Sequence, residues 1–171
     1  MGVTPGGIEP ADIDETPASG ELPRLHVVRL AREKASAVAA RHGGNAVLAA
    51  DTVVAAGQRI LPKAEDEETA RRCLQLLSGR RHRVLTAVAV VDASGKLRER
   101  LSTTLLTFKP LTTREIDAYV AGGEWRGKAG GYAIQGAAEA WVRHLSGSHS
   151  GVIGLPLFET RGLLIAAGVI V

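Results

Sequence analysis

The chain has 171 residues, of which 45% are hydrophobic and 23% are charged, as is typical of a globular protein with one domain and a substantial core. Its net charge of +3 suits an anionic small-molecule substrate and does not by itself indicate nucleic-acid binding. No apolar run reaches about 18 residues, no signal-peptide pattern opens the chain, and the single Cys73 cannot form an internal disulfide. We therefore expect one domain over residues 1–171, a cytoplasmic location, and neither a nucleic-acid nor a membrane partner.

Two helices and a buried strand are predicted in the first half of the chain. The opening 23 residues are rich in Gly, Pro and acids, and apolar residues at helical spacing then predict an amphipathic helix over 26–41. The apolar run over 45–54 predicts a buried strand that contains Asp51. Residues 65–78 predict a second helix, whose acidic first turn suits the positive end of the helix dipole.

A β-hairpin is the clearest signal in the second half. Two strand-like runs over 84–91 and 97–108 flank a turn sequence. Because strands and helices are interspersed around this hairpin, we predict an α/β fold in which a mixed, twisted sheet is flanked by helices. The other predicted elements are a helix over 112–120 with a Thr112–Glu115 capping box, a Gly-rich loop with a short strand ending at Gln135, a helix over 137–145 and a last helix over 156–167.

Asp51 is an unusual residue for its position, because it ends an apolar run of strand length and is followed by Val53 and Val54. An ionised carboxylate removed from water is strongly destabilising unless a cation or hydrogen bonds meet it. The pattern therefore predicts a metal, a general base or a structural partner at Asp51.

A second group of carboxylates, Asp12, Asp14 and Glu15, precedes the first helix. Carboxylate oxygens are the ligands that Mg²⁺ and Mn²⁺ prefer, although by itself such a segment is more often a solvated acidic loop. Together with Asp51 it supplies the two separated carboxylate sites that a divalent ion bridging to phosphates needs.

Lys34 and Lys63 are candidate phosphate ligands. Lys34 falls at the edge of the apolar stripe of the first helix, where the alternative role is to extend its charged end into water. Lys63 follows Asp51 in a short loop, where a solvated lysine is equally ordinary. The Gly-rich loop over 127–131 offers backbone N–H donors, and the amide of Gln135 suits either a nucleobase edge or a backbone contact.

Six ordered segments carry a family resemblance: DETP at 14–17, RLAREKA at 29–35, LAADTVV at 48–54, LSGRRH at 77–82, KAGGYAIQG at 128–136 and GLPL at 154–157. With them the chain resembles the Maf family of nucleoside triphosphate pyrophosphatases from about residue 8 to residue 164. The form YAIQG at 132–136 is similar to the branch that cleaves dTTP and UTP. The branch that cleaves 7-methyl-GTP tends to carry a Glu-containing segment there.

The resemblance implies a two-lobed single domain with a central cleft, like that of the inosine triphosphatases, which binds a nucleoside triphosphate with Mg²⁺ or Mn²⁺. Water would attack between the α- and β-phosphates and leave a monophosphate and pyrophosphate, in a house-cleaning role. Relatives are often dimers, so a homodimer is a further expectation. By position in the family's motifs, the implied site residues are Asp51 as proton acceptor and metal ligand, Glu15 as metal ligand, Lys34 and Lys63 on the phosphates, and Thr52 and Gln135 on the base.

Two departures from the family pattern are visible. The family usually carries Gly-Lys-Pro where this chain has LPKAE at 61–65, and it opens with a strand and a Ser-x-Ser-Pro-Arg-Arg loop that would precede Met1. Without a core strand and two arginines we expect the chain as written to be poorly active and marginally stable, and a version with the upstream residues to be active.

Two alternatives to a working enzyme stay open. One is a non-catalytic nucleotide-binding protein, which the family's association with septum formation and division arrest suggests. The other is an inactive truncated form. Asp51→Asn separates the first alternative from the enzyme. It should abolish product formation if the chain is an enzyme, and it should leave any division phenotype intact if the chain is a non-catalytic binding protein.

Overall fold

The computed structural model describes residues 2–171, so Met1, the first residue of the predicted domain, lies outside the described residues. Within residues 2–171, five α-helices and seven strands are interspersed, with one 3₁₀-helix at Ala137–Trp141. The elements are α1 Pro23–Arg41, β1 Val47–Ala56, β2 Arg59–Leu61, β3 Lys63–Ala64, α2 Glu67–Leu77, β4 Arg81–Val91, β5 Leu97–Phe108, α3 Thr113–Gly122, β6 Lys128–Ala129, β7 Val142–Ser146, α4 His149–Ile153 and α5 Leu157–Ala166.

Five strands form the main sheet in the order β2-β1-β4-β5-β7, and β3 pairs with β6 in a separate two-stranded sheet. The predicted hairpin is confirmed as β4 and β5, whose pairing ends at Val91 opposite Leu97. Asp92 closes the turn by accepting hydrogen bonds from the backbone N–H groups of Ser94 and Lys96. The α/β class and the flanking helices are confirmed. Every pairing between the described strands is antiparallel.

Helix α1 covers one face of the main sheet. Its buried residues Val27, Ala31 and Ala35 recur every four residues and therefore lie on one side of the helix. They pack against alternate residues of β1 and β4, which point to the same face of the sheet because side chains alternate along a strand. These strand residues are Val53, Ala55, Leu85, Ala87, Ala89 and Val91.

Two groups of side chains cover the opposite face. Val88 and Val90 of β4 pack against Leu163 and Leu164 of α5. Beside them, a larger cluster joins β4 and β5 to α2 and α3, and it contains five of the six aromatic residues of the chain: Phe108, Tyr119, Trp125, Tyr132 and Trp141. The few aromatic side chains are therefore concentrated at one end of the sheet, next to the loop that follows β6.

The capping box predicted for the third helix is confirmed. The Thr112 side chain accepts a hydrogen bond from the Glu115 backbone, and the Glu115 carboxylate accepts one from the Thr112 backbone. The last helix is also confirmed, as Leu157–Ala166. No helix within residues 2–171 is long and apolar enough to cross a membrane.

Two predicted elements between Lys128 and Ser146 are wrong. The stretch that leads to Gln135 is a series of turns and not a strand, because Gly130 and Gly131 adopt positive φ and break the extended run. At Gly130 a side chain would also clash with Val54, since a Cβ there would lie 2.9 Å from Val54 Cγ1. The helix predicted over 137–145 is one short 3₁₀-helix followed by β7, because Leu145 pairs with Leu106 at the sheet edge.

His82 is buried against Phe108 and Tyr132 of the aromatic cluster, and its titration generates a prediction about stability. It is 2% exposed, its Nε2 lies 2.9 Å from Tyr132 Oη, and burial lowers its pKa from 6.5 to about 4. Below pH 6.5, His82 therefore binds a proton in the unfolded chain, but in the folded chain it binds that proton only near pH 4. We expect the free energy of unfolding to fall by about 3 kcal/mol between these pH values from this residue alone.

The measurement is urea unfolding from pH 7 to pH 4. His82→Gln should flatten this part of the profile, because glutamine can still accept from Tyr132 and does not titrate. His144→Gln, at an exposed position, is the matched control and should leave the slope unchanged. Equal slopes for the wild type and His82→Gln would contradict the assignment.

Candidate active site

A cleft of about 350 Å³ opens between the middle of β1, the segment around β6 and the end of α4. Its walls contain Lys34, Asp51, Thr52, Lys63 and Gln135, which the sequence or the family resemblance singled out, together with Lys128. Five elements or loops far apart in the chain thus converge on one cavity. Glu15 belongs to the same site through its contacts with two of these lysines.

Asp51 forms an ion pair with Lys34 on the α1 side of the sheet. The Lys34 Nζ donates to Asp51 Oδ1 at 2.6 Å, and the two side chains are 17% and 7% exposed. Lys34 lies two helical turns after Val27 and next to Ala35, at the flank of the face by which α1 packs on β1. Packing of α1 therefore carries the cation to the buried carboxylate. Asp51 lies in the middle of β1, and not at a strand end as the sequence suggested, because Val53 to Ala56 continue the same strand.

Glu15 connects the two lysines. Its Oε1 lies 2.6 Å from Lys34 Nζ and its Oε2 accepts from Lys63 Nζ at 2.8 Å. One carboxylate from the segment that precedes α1 thus contacts cations from α1 and β3. The neighbouring acids do not join it: Asp14 accepts from the backbone N–H of Thr16, and Asp12 has no contact with the lysines among the ion pairs of residues 2–171.

Burial and the neighbouring lysines shift the pKa values of the two carboxylates in opposite directions. Burial raises the pKa of Asp51, and the hydrogen bond from Lys34 offsets this only in part. Hydrogen bonds from Lys34 and Lys63 lower the pKa of Glu15 to about 2. Burial opposes the charge on Lys34, but its bonds to Asp51 and Glu15 outweigh that effect and raise its pKa. Asp51 is therefore the better proton acceptor, since a raised pKa brings a carboxylate closer to neutral pH.

Thr52 faces the opposite side of the sheet from Asp51. Its Oγ1 lies 2.9 Å from Oγ1 of Thr86, the residue opposite it on β4. Gln135 is exposed in the turn after Ile134 and lines the same cleft. The cleft thus contains the ion-paired Asp51 and Lys34, the Thr52 hydroxyl on the opposite side of β1, and the Gln135 amide.

The donor set fits a divalent metal ion with oxygen preference. Glu15 Oε1 and Asp51 Oδ1 both lie 2.6 Å from Lys34 Nζ, so these two carboxylate oxygens are close neighbours. Residues 2–171 contain no group of three or more His, Cys, Asp or Glu side chains that could hold a metal by itself. Mg²⁺ is commonly bound by one or two carboxylates together with substrate phosphates, and two carboxylates are what this cleft offers.

Lys128 and Thr86 are site residues whose roles sequence reasoning did not assign. Lys128 lines the cleft from β6, within a loop noted only for its glycines. Thr86 interrupts the apolar run 84–91 of β4 and is 1% exposed, so its hydroxyl must find partners inside the protein. A lone polar residue within this apolar run was the signal that could have identified it.

Comparison with known proteins gives a consistent assignment. Residues 1–167 match the Maf-like protein family. The chain is 66% identical over 168 residues to the dTTP/UTP pyrophosphatase of Novosphingobium aromaticivorans, covering 98% of this chain and 84% of that protein. It is 61% identical to the protein of that name from Rhodospirillum rubrum, with 98% and 80% coverage. For the one from Rhodopseudomonas palustris the identity is 53%, with 98% and 84% coverage.

The ion pairs of Glu15 generate a prediction about pH and stability. Its pKa is about 2 in the folded chain against an ordinary 4.5, so its stabilising effect is complete above pH 4.5 and is lost as the pH falls toward 2. In urea unfolding, the difference in stability between the wild type and Glu15→Gln should be constant from pH 8 to pH 5 and should shrink below pH 4.5. Glu68→Gln, on the exposed face of α2, is the control. A difference that does not change between pH 6 and pH 3 would exclude the ion pairs as its cause.

Proposed function

The chain belongs to the Maf family, and from this membership and its cleft we propose that it hydrolyses dTTP and UTP to the monophosphate and pyrophosphate. The observation that carries the proposal is that one cleft holds groups suited to a triphosphate and groups suited to a nucleobase. Asp51 supplies a proton acceptor and Lys34 and Lys63 supply cations for the triphosphate. Thr52 and Gln135 supply hydrogen-bonding groups for the nucleobase. The activity is that of a nucleoside triphosphate pyrophosphatase.

Asp51 acts as the proton acceptor in this proposal. It takes a proton from the water that attacks the α-phosphorus, and its raised pKa suits this role at neutral pH. Lys34 lies 2.6 Å from the carboxylate and holds it in place. Lys34 and Lys63 also exchange their bonds with Glu15 for bonds to phosphate oxygens, which neutralises the charge that spreads over these oxygens as the bond between the α- and β-phosphates breaks.

Glu15 and Asp51 are the proposed ligands of Mg²⁺ or Mn²⁺. A bound divalent ion would supply Lewis-acid stabilisation of phosphoryl oxygens. The single domain over residues 1–171 and the cytoplasmic location remain predictions from length, composition and sequence patterns. The homodimer and the house-cleaning role remain predictions from the family.

Asp51→Asn tests the catalytic assignment. The amide has nearly the same shape and cannot accept the proton, so we expect kcat for dTTP and UTP to fall by about a hundredfold to ten-thousandfold. The assay resolves monophosphate plus pyrophosphate from diphosphate plus phosphate. Asp117→Asn, which removes a surface carboxylate paired with Arg71, is the control and should keep full activity. Diphosphate and phosphate as the products, or full turnover in Asp51→Asn, would overturn the proposal.

Metal removal tests the ligand assignment separately. Chelation of divalent ions should stop turnover, and Mg²⁺ or Mn²⁺ should restore it. In Glu15→Gln the metal concentration that gives half-maximal rate should rise about tenfold or more, because one of two carboxylate ligands is lost. Glu68→Gln should leave this concentration unchanged. An unchanged metal requirement in Glu15→Gln would remove Glu15 from the metal site.

A further inference from the structure

Thr86 is a fully buried hydroxyl directly behind Thr52. The two residues are partners in the register of β1 and β4, and their Oγ1 atoms lie 2.9 Å apart. Thr86 Oγ1 is also 2.7 Å from the backbone carbonyl oxygen of Gly151 in α4. With Thr86 only 1% exposed, these two contacts account for its hydroxyl.

The two contacts fix which hydroxyl donates. A carbonyl oxygen can only accept, so Thr86 must donate its one proton to Gly151. The hydrogen bond between the threonines then requires Thr52 to donate and Thr86 to accept. The hydroxyl proton of Thr52 is therefore used in the bond to Thr86, and its Oγ1 presents only lone pairs to the cleft.

An acceptor at this position distinguishes between pyrimidine bases. The edge of uracil or thymine carries one hydrogen-bond donor, the N3–H group between two carbonyl oxygens. Cytosine has a lone pair on N3 instead, so an acceptor opposite N3 would face a second acceptor. A site whose buried polar group is left unpaired rejects the wrong ligand strongly.

We propose that Thr86 is a positioning residue that makes Thr52 an acceptor for the N3–H of uracil and thymine, and that this polarity excludes cytosine nucleotides. The inference rests on the proposed function, because it assumes that a nucleoside triphosphate places its base against Thr52 and its phosphates near Lys34 and Lys63. The sheet supports this arrangement, since Thr52 and Asp51 point to opposite faces and both line the cleft.

Thr104 provides a matched control for Thr86. It is also 1% exposed, on the neighbouring strand β5. Its hydroxyl lies 3.2 Å from the carbonyl oxygen of Ser148 and accepts from the Ser148 N–H at 2.9 Å. Both threonines therefore hold the segment around α4 against the sheet, but only Thr86 contacts Thr52.

The experiment compares kcat/KM for UTP and CTP in the wild type, Thr86→Val, Thr86→Ser and Thr104→Val. Valine has the shape of threonine without its hydroxyl, so in Thr86→Val the Thr52 proton is released and can donate to cytosine N3. The preference for UTP over CTP should then fall by about tenfold or more. Thr86→Ser and Thr104→Val should keep the wild-type preference. An equal preference for UTP over CTP in Thr86→Val and Thr104→Val overturns the proposal. An equal fall of kcat/KM for UTP and CTP in Thr86→Val also overturns it, because Thr52 would then contact the sugar and not the nucleobase.

A second measurement decides the question if Thr86→Val does not fold. The wild type should prefer UTP to N3-methyl-UTP by about tenfold or more, and Thr52→Ala should lose most of this preference. A preference that persists in Thr52→Ala overturns the proposal. A wild type that cleaves neither dTTP nor UTP refutes the proposed function instead. Dissociation constants of UTP and CTP would then decide the inference with the same variants.

Discussion

The contact of Lys34 with two carboxylates is the interaction on which the rest of the site depends. Asp51 can be buried in β1 only because a cation meets it there, and that cation is positioned by the packing of α1 on β1. Lys34 also holds Glu15, and through Glu15 the segment before α1 is joined to Lys63 of β3. The two lysines and two carboxylates balance in charge, so the cluster is stable without a ligand and still offers cations to phosphate oxygens.

Much of the fold could be predicted from the sequence because its signals are local. Asp92 closes a hairpin within five residues, and Thr112 with Glu115 caps a helix within one turn. The helical spacing of apolar residues in α1 likewise needs no distant partner. The two predictions that were wrong concern segments whose structure depends on remote contacts. β7 forms because Leu145 pairs with Leu106. The turns before Gln135 follow the close approach of Gly130 to Val54. Local propensity does not contain this information.

In the candidate site, too, local signals were predictable and contacts between remote segments were not. An acid after an apolar run was sufficient to single out Asp51, and the order of the motifs suggested Glu15, Lys34 and Lys63 as its companions. That Glu15 contacts both lysines while Asp14 bonds to its own loop is a matter of three-dimensional placement. Thr86 was missed because its role passes through a partner on the adjacent strand, and strand register cannot be read from a single segment.

The alternation of side chains along β1 has a consequence for how selectivity and chemistry are related. Asp51 and Thr52 are consecutive residues of β1, so the backbone limits the spacing between the groups proposed to contact the reacting phosphate and the nucleobase. β1 therefore sets the distance between the nucleobase contact and the phosphate contact. A base too large for the wall at Thr52 would carry the α-phosphate out of reach of Asp51, and changes around Thr86 could retune base preference while the catalytic face stays intact.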